Sequence, residues 1–350
     1  MQASGLDQWS AQVSVKRGLP TGHFKVLAGD TTWEVGANHA VEFGPLWTKP
    51  NATAASVEVF PWFGQQTGSY QVAQPAVFSP QLQNVRSVVV YTPPSYAENP
   101  YKQYDVLIMH DGQNLFNAST SSFGTAWQCQ DTPNTLIAEG TMREIVVVGV
   151  YNIGANRTYE YTYSVDPTVH DGGGGDAYLD FLESSLYPWV QTAYRVNPLV
   201  RGTGPGAARW SMLGSSLGGL LSCYAGWTRP DVYSRVGCMS SSFWWNGEDF
   251  NNTVLEHAPP MGPAQPNVVF YLDSGNAGPD NDDVVQTHTV FEHLKSDGYA
   301  LNSTLFYYTQ PGGQHSEKYW GERFSIPMQD LFPVQPVDVT AMHVAKYVQL

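Results

Sequence analysis

Seven short segments between residues 87 and 310 are almost continuously apolar: SVVVYTP, YDVLIMHDG, REIVVVGVYN, ARWSMLG, RVGCMSSSF, NVVFYLDSG and STLFYYTQ. A strand with one wet face alternates apolar and polar residues, whereas a strand that is apolar throughout must be covered on both faces. Helix-length stretches separate these segments, at about 134–140, 176–193, 217–228, 283–297 and 317–331. Alternation of this kind predicts a mostly parallel central sheet with helices packed on each side, so the expected fold class is α/β.

The first 65 residues read differently. WSAQVSV, HFKVLAG, TTWEVG, HAVEFG and ASVEVFPWF alternate apolar with polar positions and are broken by Gly, Pro and Asn. That pattern predicts a small all-β, sandwich-like region. With 350 residues the chain can hold a full core and a smaller unit beside it. Three parts are expected: the β-rich region over 1–65, an α/β domain over 75–335, and a tail over 336–350.

Charge and composition remove several functions. A net charge of −14 repels phosphate backbones, so nucleic acid is not an expected partner. No apolar run reaches the roughly 18 residues of a membrane span, so no membrane partner is expected either. The opening MQASGLDQWSAQ has neither a basic start nor an apolar core, which predicts no signal peptide in this chain. Compartment stays open, secretion included, and so does oligomeric state. The three cysteines, Cys129, Cys223 and Cys238, are odd in number and widely spaced. That argues against a disulfide framework or a zinc site, and Cys223 and Cys238 are expected to be buried free thiols. No metal or organic cofactor is called for.

The chemistry concentrates in ARWSMLGSSLGGLLSCYAG, where an apolar strand runs into Gly214-x-Ser216-x-Gly218 and then into a helix-like run. A serine on such a cramped strand-to-helix turn is the nucleophile elbow of α/β-hydrolases. The following helix start offers the N–H of Leu217 to a developing oxyanion, and Gln113, in the loop after YDVLIMHDG, is the expected second donor. Serine needs a base, and in this fold the chain order is Ser, acid, His. His288, His293, His315 and His343 follow the elbow; His315 is favoured because its Gly-rich loop comes just after the last strong strand. The loop DSGNAGPDNDDVV supplies the acid: Asp273 still lies in the strand, Asp283 is placed to cap the next helix, and Asp282 is favoured, with Asp280 as the alternative. His110 and Asp111 are expected to brace their loop, and Arg157 and Glu160 to form a structural ion pair, with substrate contact as the alternative. Trp244 and Trp245, just past a strand end, are expected to line the substrate pocket, with Trp320 near His315 as a further aromatic.

HDGQNLF (110–116), NRTYEYT (156–162), GGGGDAYLDFLESSLYP (172–188), GSSLGGLLSCYAG (214–226) and MSSSFWW (239–245) occur in the order found in the putative-esterase family of α/β-hydrolases. The chain resembles that group, which includes esterase D, feruloyl esterases, enterochelin esterases and mycolyltransferases, over about residues 80–330. The resemblance implies a serine carboxylic-ester hydrolase with Ser216, His315 and a loop acid; the turn carrying that acid is longer here than the family's short Gly-x-x-acid turn. GLPTGHFKVLAGDTTWEVGANHAVEF, with Trp33, Glu34 and Asn38, is similar to the later half of a starch-binding carbohydrate module, which implies a module remnant.

The expected activity is hydrolysis of small or carbohydrate-linked esters through an acyl-enzyme. A histidine base must start neutral, so activity is expected to rise with pH through roughly 6–7. The alternatives are an acyltransferase with the same triad, or a catalytically silent carbohydrate-binding protein.

Overall fold

In the computed structural model the described residues are 2–5, 8–10, 21–28, 31–42, 59–203, 207–257, 268–334 and 337–338. Eight strands build the main sheet: β1 (Ser69–Val72), β2 (Val88–Thr92), β3 (Asp105–Met109), β4 (Ile145–Val150), β5 (Trp210–Ser215), β6 (Tyr233–Met239), β7 (Val269–Gly275) and β8 (Leu305–Gln310). Their spatial order is β8-β7-β6-β5-β3-β4-β2-β1. Strands β3 to β8 run parallel, and β2 is antiparallel to both β4 and β1.

Period-two side-chain alternation divides the core between the two faces. Val106, Ile108, Val146, Val148 and Met212 meet Tyr178, Leu179, Leu220 and Leu221 on one face. Leu107, Met109, Val147 and Leu213 meet Trp127, Phe324, Met328 and Leu331 on the other. The covering helices are α1 (Asp131–Glu139), α2 (Arg157–Tyr161), α3 (Gly175–Phe181), α4 (Tyr187–Ala193), α5 (Leu217–Thr228), α6 (Trp245–Asp249), α7 (Val284–Ser296), α8 (Glu317–Arg323) and α9 (Ser325–Leu331). A π-helical turn, Leu182–Leu186, joins α3 to α4, and the helix expected over 317–331 divides at Phe324.

Parallel register decides where the strands end. Ser215 lies beside Met239, and Met239 beside Asp273. The loops after β5, β6 and β7 therefore leave the sheet from one line at its carboxyl edge, where α/β sheets bind ligands.

Small antiparallel pieces occupy the amino-terminal region. Gln2–Gly5 pairs with Gln8–Ser10, Leu27–Ala28 with Thr32–Trp33, and Thr21–Phe24 with His39–Glu42. Val337–Asp338, from the expected tail, pairs parallel to Val41–Glu42. Much of WSAQVSV and ASVEVFPWF lies outside the described residues. Buried Glu34 accepts a hydrogen bond from the Val26 N–H at 2.7 Å, while Trp33 is exposed.

The two cysteines expected as free thiols are joined: Cys223 on α5 is disulfide-bonded to Cys238 on β6, and Cys129 is the buried free cysteine. Sequence spacing misleads here because the turn at Ser216 folds α5 back over β6, bringing residues 15 apart in the chain to a Cα separation of 5.9 Å. Closing a loop of this length stabilises by about 3 kcal/mol. Thiol titration in denaturant should therefore find one reactive thiol per chain before reduction and three after it. The Cys223→Ala/Cys238→Ala variant should melt lower than wild type; an unchanged melting temperature would show that the bond carries no stability.

Candidate active site

Ser216 sits between the end of β5 and the start of α5 with φ 58° and ψ −128°, a backbone conformation that costs a non-glycine residue roughly 1–3 kcal/mol. Hydrogen bonds hold it there. Its N–H donates to Met239 O at 3.0 Å, and its carbonyl accepts from Leu220 N at 3.0 Å and Ser242 N at 3.1 Å. Close approach explains the neighbouring glycines: a Cβ on Gly214 would stand 2.6 Å from the Gly218 backbone and 2.7 Å from the His110 ring. The Ser216 hydroxyl lies 3.3 Å from Ser242 Oγ, and no hydrogen bond joins it to His315 among the described residues.

His315 follows β8 in the loop expected from the sequence. Its Nδ1 lies 2.8 Å from Asp282 Oδ1. A carboxylate only accepts, so Nδ1 carries the proton and Nε2 is left as the base-competent nitrogen. Of the two candidate acids, Asp282 is the one that meets His315; Asp280 is exposed two residues earlier. Asn281, Asp282 and Asp283 have φ of 50°, 52° and 54°, a left-handed turn of three non-glycine residues. Burial alone would raise the Asp282 carboxyl, but hydrogen bonds from His315, Ser240 and the Gly275 N–H outweigh it and hold the group below the usual carboxylate range. Asp283 goes the other way: burial pushes it up to about 6, with His315 opposing and the Asp282 and Asp280 charges adding to the rise. Of the remaining histidines, His288 and His293 lie on α7, and His343 lies outside the described residues.

Ser240 was not singled out from the sequence. Its hydroxyl accepts from Trp320 Nε1 at 2.9 Å and from Arg323 Nη2, neither of which can accept in return. Its own proton therefore goes to Asp282 Oδ2, at 2.6 Å. Arg323 also pairs with buried Asp273 at 2.9 Å and lies 3.6 Å from Asp282 Oδ2. Trp320 is buried and packs edge-on to the His315 ring at 5.0 Å, so it supports the imidazole instead of opening as a pocket wall. The MSSSFWW run was the available signal, but its hydroxyl partners come from helix α8, far along the chain.

Leu217 is the first residue of α5, and Gln113 lies in a short 3₁₀ turn, Gly112–Asn114. N–H groups in a first helical turn have no acceptor inside the helix, so both are available to an external oxygen. The 3₁₀ turn is braced as expected for His110 and Asp111. Asp111 receives both Nε and Nη2 of Arg157 at 2.8 Å and Asn152 Nδ2 at 2.7 Å. Burial would raise this carboxyl, but Arg157 and Asn152 outweigh that and lower it. His110 is buried against the elbow glycines, and burial pushes its imidazole down to about 4. The expected Arg157–Glu160 ion pair is corrected: Glu160 turns into the core and pairs with Arg86, leaving Arg157 to Asp111. Glu317, whose carboxyl is raised by burial, accepts from Asn114 Nδ2 at 3.2 Å.

The two expected pocket tryptophans separate. Trp244 is 44% exposed, whereas Trp245 is 3% exposed and donates its indole N–H to Ser164 O at 3.1 Å. Trp245 is corrected to a core residue, because its ring packs inside the main hydrophobic cluster. No group of three or more His, Cys, Asp or Glu placed to hold a metal ion occurs among the described residues. No helix among them is long and apolar enough to cross a membrane.

A family model described as "Putative esterase" matches residues 79–331. The uncharacterized protein YbbA of Bacillus subtilis is 26% identical over 259 residues, covering 71% of this chain and 92% of that protein. The siderophore triacetylfusarinine C esterase of Aspergillus fumigatus is 40% identical over 74 residues, covering 21% of this chain and 23% of that protein. Among solved structures, the siderophore hydrolase EstA from Aspergillus nidulans superposes with a TM-score of 0.54 at 17% identity, covering 76% of this chain and 94% of that one. That last likeness is one of fold.

The Asp111–Arg157 pair yields a stability test. Arg157→Ala leaves a buried carboxylate without its cation and should destabilise by about 3 kcal/mol at neutral pH. In wild type the folded Asp111 value lies below the unfolded value near 3.9. Its contribution is thus complete above that pH and is lost as pH falls through the folded value. In the variant, protonation relieves the stranded charge. Melting curves from pH 7 to pH 2 should show the gap between the proteins widest at neutral pH and closing on the acid side; a constant gap would sink the assignment.

Proposed function

The chain belongs to the putative-esterase family, and from that premise we propose that this carboxylic ester hydrolase works through Ser216 as nucleophile, His315 as general base and Asp282 as the acid that orients it. The observation that carries this reading is the 2.8 Å hydrogen bond from His315 to buried Asp282, at the sheet edge where Ser216 occupies its strained turn. The Ser216 hydroxyl faces Ser242 Oγ, and the proposed mechanism requires it to turn toward His315 Nε2; catalytic contacts of this kind commonly tighten only when substrate binds.

In the proposed cycle, Ser216 Oγ attacks the ester carbonyl while its proton passes to His315 Nε2. The N–H groups of Leu217 and Gln113 receive the tetrahedral oxyanion. Collapse breaks the bond to the leaving alcohol, which departs with the proton from His315. Water then enters, gives a proton to the same nitrogen, attacks the acyl-enzyme and releases the acid and free Ser216. Asp282 stays ionised throughout and stabilises the imidazolium formed in each half.

The proposed substrates are small-molecule esters, carbohydrate-linked esters among them. Exposed Trp244, next to the Ser240–Ser242 run, supports an apolar wall for the acyl or alcohol group. The name of the Aspergillus fumigatus relative makes siderophore esters a class to include in a substrate panel. The amino-terminal region is proposed as a module remnant separate from this chemistry.

Hydrolysis of p-nitrophenyl esters, from acetate to longer chains, tests the nucleophile and sizes the pocket. Ser216→Ala should lose about 10,000-fold or more in kcat. Full activity in that variant would eliminate the mechanism. Asp282→Asn should cost about 10,000-fold with the fold intact, because the amide favours the wrong tautomer of His315, whereas Asp280→Asn should stay near wild type. Equal losses in both would move the acid assignment away from Asp282.

A further inference from the structure

The carboxyl edge of the sheet holds the ester site; the amino edge holds something else. There a cleft of about 380 Å³ is lined by Asp105, Asn197, Arg209, Trp210, Ser234 and Arg235, among others. Asp105 opens β3, Trp210 opens β5, and Arg235 lies near the start of β6, so the cleft is a full strand length away from Ser216.

The cleft is cationic in a chain whose net charge is −14. Neither Arg209 nor Arg235 forms an ion pair among the described residues. Arg209 Nη1 donates to the Pro230 carbonyl at 2.7 Å and the Tyr233 carbonyl at 3.4 Å, and Arg235 Nη1 donates to Ser234 Oγ at 3.4 Å. The other nitrogens of both guanidinium groups have no hydrogen bond to the described residues. Asp105, the carboxylate lining the cleft, is already engaged: Oδ2 accepts from Arg143 Nε at 2.9 Å and Oδ1 from Asn197 Nδ2 at 2.7 Å. Asp231, the acid acting on Arg209, lies 3.2 Å from Arg201, which it shares with Glu183. The Asp105 charge is met by Arg143, which leaves the two lining arginines, Arg209 and Arg235, without an ion-pair partner among the described residues. Burial, then repulsion from Arg143 and Arg209, pushes the Arg235 guanidinium down to about 10 against the attraction of Asp105.

Two guanidinium groups with free N–H donors and no ion-pair partner among the described residues are matched by an acceptor with several oxygens and two negative charges, which describes a phosphoryl group better than a single carboxylate. We propose that this cleft binds a phosphoryl-bearing small molecule, with Arg235 as its principal ligand and Arg209 and Ser234 as supports. The volume exceeds what inorganic phosphate fills, so a phosphate monoester is the class that fits. The site is independent of the ester-hydrolysing residues.

Isothermal titration of the whole chain with inorganic phosphate and with glycerol phosphate, at constant chloride, tests this. Wild type and Ser216→Ala should bind glycerol phosphate saturably at one site, and tighter binding of the ester than of phosphate would show that the rest of the cleft contributes. Arg235→Gln should weaken binding roughly tenfold or more, as expected for losing hydrogen bonds to a charged group. Asp105→Asn, which removes the negative charge, should tighten it, and this variant keeps the proposal testable if Arg235→Gln fails to fold. No saturable binding up to tens of millimolar, unchanged affinity in Arg235→Gln, or no tightening in Asp105→Asn would each overturn the proposal.

Discussion

An ionised carboxylate sealed from water organises the carboxyl edge of this sheet. Asp282 divides its oxygens: Oδ1 meets His315, while Oδ2 accepts from Ser240 and from the Gly275 N–H. A buried charge is tolerated only when its lone pairs are filled and an opposite charge is near. Arg323 supplies that charge at 3.6 Å and is itself anchored to Asp273. The carboxylate therefore recruits partners from the loop after β6, from β7 and from α8 at once. Removing any one of them leaves another group unsatisfied, so this corner is rigid for electrostatic reasons more than for packing.

Backbone strain is the complementary constraint. Ser216 and the three residues Asn281, Asp282 and Asp283 all have positive φ without being glycine. Such conformations persist where the surroundings over-determine them. At Ser216 three backbone hydrogen bonds and the close approach of Gly218 to Gly214 do so; at Asp282 it is the filled carboxylate. The disulfide between α5 and β6 ties the elbow's helix to the next strand, adding a covalent restraint beside the strained turn.

This division explains what could be read from the residues alone. The strands were legible because burial on both faces leaves an unbroken apolar signature in VVVY, DVLIM and IVVVGV. The turn at Ser216 and the loop at His315 were legible because each lies directly beyond a strand. The acid was ambiguous because a left-handed turn built from Asn-Asp-Asp has no glycine to announce it. Partners joined only by folding stayed hidden: Arg323 is 83 residues from Ser240. Glu160, three residues beyond Arg157 on one helical turn, invited a local pairing that burial overrode, since the Arg86 side chain in the core needed the same carboxylate.

Charge balance around the elbow bears on how an acidic protein can stabilise a negative intermediate. Asp111, Asp273 and Asp282 all lie near the carboxyl edge, and three unpaired anions there would oppose charge developing on an ester oxygen. None is unpaired. Asp111 is matched by Arg157, and Asp273 by Arg323, which also lies beside Asp282. Burial raises the Glu317 carboxyl and takes that of Asp283 up to about 6. With Asp111, Asp273 and Asp282 each beside a cation, the amide dipoles of Leu217 and Gln113 and the positive end of α5 face the proposed oxyanion with less opposition. In the proposed mechanism the ion pairs beside the elbow thus serve less to bind than to silence charge, and the electrostatic part of the catalysis falls to two uncharged N–H groups.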